Sequence, residues 1–164
     1  MKIRDQITPE LTKLGLLING ISTTMLTFVN ANQDLVSQPM GPVEMDDTGA
    51  IWFFTDINSE KTRHLNTLNL TFNGESDGIY VSLSGNGEII TDEIRKKELW
   101  TPFVKPWFPD GPESPNLGLL KFKPLSAEYW ESPHSSVIRL FAMAASIVAA
   151  KPIGLGDHKK LDNL

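Results

Sequence analysis

Hydrophobic and polar positions first follow a helical pattern and then turn extended. Leu11, Leu14, Leu17 and Ile18 recur at three- and four-residue spacing, which marks one apolar helix face. Thr8 supplies an N-cap before Pro9, and Gly20 closes the pattern, so a helix is predicted over 9–20. From residue 21 the pattern turns extended: Thr23, Met25, Thr27 and Val29 alternate with Thr24, Leu26 and Phe28 in a β-rich run. A polar turn at 30–34 leads to a second strand over 35–45. Pro39 and Pro42 interrupt it, which suits an edge or a bulge. A turn at 46–49 and a third strand at 50–55 complete an expected antiparallel meander.

A short helix over 59–65 follows, then strands over 68–73 and 79–90 joined by a polar turn at 74–78. A helix over 91–104 has Thr91 or Asp92 as its cap. The loop at 105–112 is proline-rich and carries Trp107 and Phe108. Aromatics in a segment that cannot be regular suit a pocket or a contact with a second copy. A long strand over 117–131, a helix over 136–150 and a loosely held tail at 151–164 end the chain. About six strands, without a helix after each, argue against a doubly wound parallel sheet. They fit a mainly β, antiparallel barrel with peripheral helices, one domain over 1–150 followed by the tail.

Composition narrows the function. The 164 residues are 40% hydrophobic and 21% charged, as in an ordinary single globular domain. A net charge of -5 without a basic run argues against nucleic acid as partner. The absence of cysteine excludes disulfides, thiolate metal sites and a cysteine nucleophile, and it fits a reducing cytoplasm. Residues 1–10 are too polar for a signal peptide, and the apolar run at 140–150 is too short to cross a bilayer, so no membrane partner is expected.

Most familiar motifs are missing. Gly85-Asn86-Gly87 lacks the third glycine of a dinucleotide loop and reads as a bulge or turn. His64, His134 and His158 show no ligand spacing, so no metal site is expected. Asp46 and Asp47 fall in a turn, where aspartate is common, and no Gly-x-Ser-x-Gly elbow exists. What remains is Ala50-Ile51-Trp52-Phe53-Phe54-Thr55-Asp56-Ile57-Asn58-Ser59-Glu60-Lys61. A strand ends in a hydroxyl, and a helix is expected to start with Ser59 and Lys61 in its first turn. Thr55, Ser59 and Lys61 could together hold a phosphate dianion. The bland alternative is an ordinary capped helix with Lys61 in solvent. Trp52, Trp107 and Trp130 add aromatic surface, and an aromatic cleft beside a phosphate site suits a flat heteroaromatic cofactor with a phosphate tail.

Pro39-Met40, Trp52-Phe53-Phe54-Thr55-Asp56 and Ser59-x-Lys61 resemble the flavin-binding half of the pyridoxamine 5'-phosphate oxidase-like split barrels. Two further segments are similar to the bacterial general stress protein subgroup. These are Glu98-Leu99-Trp100-x-Pro102-Phe103-x-Lys105-x-Trp107-Phe108-Pro109-x-Gly111 and Glu128-Tyr129-Trp130-Glu131-Ser132-Pro133. The resemblance covers residues 21–133 and implies a six-stranded antiparallel Greek-key split β-barrel. It also implies a homodimer with FMN in a groove at the subunit interface. The segment with Gln38, Pro39 and Met40 would run along the flavin ring, with Phe54 in the adjoining strand. Thr55 would lie near the ribityl chain or phosphate, and Ser59 and Lys61 would hold the phosphate. Trp130 would reach the cofactor, and Trp107 would come from the subgroup's own loop. FAD shares the phosphate next to the ribityl chain, so it stays open beside FMN.

Two positions depart from the pattern. Gln38 stands where many relatives carry Arg, and Glu60 where the oxidases carry Arg; both remove a cation from the phosphate end. The resemblance implies a flavin-dependent oxidoreductase of unknown substrate, yet no residue stands out as its acid or base. A flavin carrier without turnover and a dimeric stress-related scaffold with a decayed site remain as alternatives. Efficient pyridoxamine 5'-phosphate oxidation is not expected. The region 132–139 has one His and one Arg in the reverse of the order used in the oxidases.

Overall fold

A computed structural model describes residues 1–74, 78–131 and 157–162. Its strands are β1 (Lys2–Ile3), β2 (Thr24–Val29), β3 (Leu35–Met40), β4 (Pro42–Met45), β5 (Ile51–Asp56), β6 (Leu68–Gly74), β7 (Ile79–Ile90), β8 (Leu117–Glu131) and β9 (Asp157–Asp162). Two α-helices, α1 (Pro9–Ile18) and α2 (Glu93–Leu99), lie among them. The neighbour order is β1-β4-β5-β8-β7-β6-β2-β3, with β9 added to β8. Strands β3 and β4, near opposite ends of this path, are separated only by Gly41. The sheet must therefore curl until its ends meet at that corner, which makes it the expected split barrel.

The expected meander is only partly present. Strand β2 pairs with β3, and β4 with β5, but β3 and β4 are not neighbours in the sheet. The chain instead turns the corner at Gly41, between the two prolines that cannot donate to a ladder. The sheet is not wholly antiparallel either, because β1 runs parallel to β4. The tail expected to be loose supplies β9. It pairs with Ser126–Glu131 of β8, beyond the part of β8 that β5 covers. Strand β8 thus offers an open edge that recruits a polar segment with no strand pattern of its own.

Strand β2 buries Thr24, Leu26 and Phe28 on one face, as the alternation predicts. These pack with Phe53, Leu70, Phe72, Val81, Leu83 and Phe122 in the barrel interior. Helix α1 adds Leu11, Leu14, Leu17 and Ile18 to the same core. Its start is capped as expected: Thr8 Oγ1 accepts the Leu11 N–H at 3.2 Å. At Gly85 the β7–β8 register shifts, the bulge read from the glycines. A Cβ there would lie 2.1 Å from the Lys123 carbonyl oxygen, so the close approach requires glycine.

Strand β5 is buried on both faces, because α2 and the proline-rich loop cover its outer side. Trp52, 7% exposed, lies between Arg95 and Lys121, at 4.7 and 5.1 Å from its ring. Its indole N–H donates to Asp46 at 2.9 Å. Arg95 also pairs with buried Glu44, which Arg4 holds from β1's side at 3.0 Å. This network ties α2 and the N-terminal strand to β4 and β5. Trp52 is therefore a structural residue. The helix expected over 91–104 breaks at Trp100, and a 3-10 turn, Pro102–Val104, follows. Pro102 cannot continue an α-helix. The helix expected over 136–150 and the middle of the turn expected at 74–78 lie outside the described residues.

Candidate functional site

A cleft of about 510 Å³ opens where the Gly41 corner, the end of β5 and the proline-rich loop converge. That volume is within the range of small-molecule sites, roughly 300–1,000 Å³. Its apolar lining includes Pro39, Met40, Val43, Phe54, Phe103 and Trp107. The polar end holds Gln38, Thr55, Asp56, Lys61 and Asn116. A depression of about 560 Å³ beside α1 is lined by Ile7, Pro9 and Leu16. Its one charged residue, Lys13, is tied to Glu131 at 2.9 Å, so the chemistry belongs to the first cleft.

The loop wall is built by division of labour among neighbouring residues. Val104 and Phe108 pack with Leu117 in a small core, and the backbone N–H groups of Trp107 and Phe108 both donate to the Val104 carbonyl. This anchoring leaves Phe103 and Trp107 about two-thirds exposed, at 66% and 65%, with ring centres 5.7 Å apart. Phe108 is expected, with Trp107, to serve a pocket or a contact with a second copy; it lines the cleft but is only 8% exposed, because the turn points it into its own chain's core. Phe54 is fixed edge-on against Trp100 at 5.6 Å.

Lys61 is 8% exposed, not in solvent as the bland reading had it. Its ammonium donates to Gln38 Oε1 at a long 3.4 Å and, among the described residues, makes no ion pair. Burial lowers its pKa below the usual lysine value, and the charge of Asp56 opposes that only in part. A buried cation without an anionic partner is costly. At a cleft wall it is a natural anchor for an external anion. Thr55 is buried in the lining of the same cleft, and among the described residues its hydroxyl makes only a 3.5 Å contact. Gly118 pairs with Thr55 across the ladder, and a Cβ there would strike Ile57 at 2.4 Å. The turn after β5 can pack down only because that position is glycine.

The structure thus brings Gln38, Pro39, Met40, Phe54, Thr55, Lys61 and Trp107 to one cleft. Ser59 and Trp130 do not line it. The Ser59 hydroxyl donates to the Asp56 carbonyl at 2.7 Å. The helix expected to start there is a four-residue 3-10 turn, Glu60–Arg63, too short to carry an appreciable dipole. Glu60 is exposed and outside the cleft. Trp130 is at the far end of β8, stacked on His158 at 4.8 Å. Asp56, Asn116 and Phe103 line the cleft without having been singled out. Asp56 stood inside the quoted strand motif, whereas Asn116 had no local signal, since the start of β8 carries it in from a distance.

A family model described as pyridoxamine 5'-phosphate oxidase like matches residues 9–153. Among curated proteins, protein bli-3 of Neurospora crassa is 30% identical over 120 residues, 66% of this chain. The chain spans 57% of that relative's length. A crystal structure of a general stress FMN/FAD binding protein from Xanthomonas citri is 28% identical, with a TM-score of 0.66. The match covers 78% of this chain and 93% of that one. A general stress protein 26 from Jannaschia sp. CCS1 superposes with a TM-score of 0.74 at 24% identity. It covers 94% of this chain and 99% of its own, a likeness of fold.

Proposed function

Because the chain belongs to the pyridoxamine 5'-phosphate oxidase-like family, we propose that the cleft at the Gly41 corner binds a flavin. The observation that carries this reading is Lys61: a buried ammonium without an ion pair, at the polar end of an aromatic-walled cleft. The Xanthomonas citri relative named as an FMN/FAD binding protein supports the ligand class. Pro39, Met40 and Phe54 would pack against the ring, with Trp107 opposite. Lys61 and Thr55 would hold the phosphate, and Gln38 would donate to or accept from the ring edge or ribityl chain. Ser59 would contribute only by turning its hydroxyl away from the Asp56 carbonyl. A bound flavin would supply the redox chemistry, and these residues its position and surroundings.

A second copy of the chain would close the cleft, since Phe103 and Trp107 leave an aromatic patch open to water. Trp130 fits this homodimer as a residue delivered from the partner. Within one chain it is 12 positions along β8 from Gly118, the partner of Thr55, roughly 40 Å of extended strand. Whether the flavin turns over divides two readings: a flavin-dependent oxidoreductase and a carrier. One observation favours the carrier. Among the described residues the cleft lining holds no histidine, and its one carboxylate, Asp56, is tied to Asn58 and Asn116.

Titration of the full chain with FMN and riboflavin, followed by flavin fluorescence, tests the proposal. Saturable quenching at one flavin per chain is expected, because Trp107 would stack on the ring. No saturation by either flavin up to about 1 mM, the threshold of weak binding, would reject it.

A further inference from the structure

We propose that Asp56 is a specificity-determining residue whose fixed negative charge offsets Lys61, so that the cleft does not favour a phosphate dianion over an uncharged flavin. This rests on the flavin reading and deepens it, by naming which flavin the polar end admits. Among the described residues, Lys61 and Asp56 are the only charged ones lining the cleft. They make no ion pair with each other; the carboxylate is held elsewhere. Its Oδ1 accepts the Asn58 N–H at 2.8 Å, and its Oδ2 accepts Asn116 Nδ2 at 3.0 Å. These two bonds hold the carboxyl pKa below its usual value, so Asp56 stays ionised at neutral pH.

The bland role for Asp56 is to brace the turn after β5, and those two bonds serve it. They do not remove the charge, nor do they fill the roughly four acceptor positions of a carboxylate. A phosphate monoester carries about -1.5 to -2 at pH 7. It would meet one cation and one anion, where a site built for a dianion gathers several donors. Glu60 and Gln38, the two departures visible in the sequence, act differently. Glu60 is outside the cleft, and Gln38 engages the one ammonium available.

The test compares FMN with riboflavin on the wild-type chain and on Asp56→Asn, at one fixed low salt concentration. In the wild type, FMN is expected to bind no more than about fivefold tighter than riboflavin, the scale of a single exposed charge pair. In Asp56→Asn, FMN should tighten about three- to tenfold, since the phosphate carries close to two charges, while riboflavin stays unchanged. A wild-type preference for FMN above fivefold overturns the inference without any variant, which keeps it falsifiable if Asp56→Asn does not fold. An unchanged FMN affinity in the variant also overturns it. So does equal weakening of both flavins, which would make Asp56 an acceptor for ribityl hydroxyls. If neither flavin binds the wild type, the flavin reading itself fails.

Discussion

The ammonium of Lys61 meets Gln38 Oε1 at 3.4 Å across the junction of the β5 turn and β3. Two segments more than twenty residues apart thereby place one cation and one amide at the same end of the cleft. The amide cannot neutralise the cation, whose charge is opposed only in part by Asp56.

Replacing Lys61 with Met is expected to weaken FMN by about 1.5–3 kcal/mol, the range for a hydrogen bond to a charged group, which leaves FMN bound more weakly than riboflavin because the Asp56 charge is then unopposed. Riboflavin should be unaffected. Stability of the ligand-free protein should respond in the other direction. The folded pKa of Lys61 is depressed below 10.5, so the unfolded chain binds more protons between the two values. Wild-type stability should therefore rise with pH through that window, up to 10.5, and Lys61→Met should lack the rise. Urea denaturation across alkaline pH measures it; parallel slopes in both proteins would count against a buried, charged Lys61.

Asp46 should govern stability at acid pH. Burial alone would raise its pKa, but bonds from the Thr48 hydroxyl, the Trp52 indole and the Ala50 and Thr48 backbone outweigh that and lower it below 3.8. The stability it contributes is full above 3.8 and lost as pH falls through the lower folded value. Asp46→Asn should flatten the acid limb of a stability profile recorded from about pH 5 to pH 2. An unchanged limb would show that other carboxylates set it.

Glu44 is the hub of the network behind the site, 2% exposed and paired with both Arg4 and Arg95. Glu44→Gln leaves Arg4 without its anion and Arg95 with only the exposed Glu98, 3.1 Å away. A loss of about 3 kcal/mol is expected, near the low end for breaking a buried pair because Arg4 reaches solvent. Chemical denaturation would read the loss, and a change below about 0.5 kcal/mol, the scale of a surface substitution, would mean that the network is idle. Because α2 leads into the loop carrying Phe103 and Trp107, flavin affinity should fall with it.

The proposed homodimer predicts a doubled mass by light scattering at micromolar concentration. Trp107→Ser should shift it toward monomer, since the exposed Phe103–Trp107 pair is the apolar surface the cleft leaves open. A wild-type monomer would remove the second wall and, with it, the role proposed for Trp130.

Pyridoxamine 5'-phosphate should be a poor substrate. It brings a second phosphate, and among the described residues the cleft has a single cation, Lys61. The region 132–139, where the oxidases carry their substrate residues, lies outside the described residues. Flavin-loaded protein under air should form pyridoxal 5'-phosphate far more slowly than the median enzyme rate, on the order of ten per second. Turnover near that rate, followed by absorbance, would mean that a second anion site exists.

Local chemistry was enough to determine much of this protein. The spacing of Leu11, Leu14, Leu17 and Ile18, the Thr8 cap, the long strands of β7 and β8 and the bulge at Gly85 all follow from periodicity and backbone preference over a few residues. So does the segment Trp52 to Lys61, because strand, turn and side chains there are contiguous. Tertiary structure alone decided which way those side chains face. Trp52 came against the Arg95 and Lys121 cations when α2 folded over β5, while Phe108 went inward and Trp107 outward when the turn bonded to the Val104 carbonyl set their directions. Lys61 is buried at a cleft wall where Gln38 of β3 reaches its ammonium. Asn116 reached Asp56, and β9 found an edge, through pairings that span tens of residues. Such contacts leave no periodic trace, because the partners that stabilise them are distant in the chain.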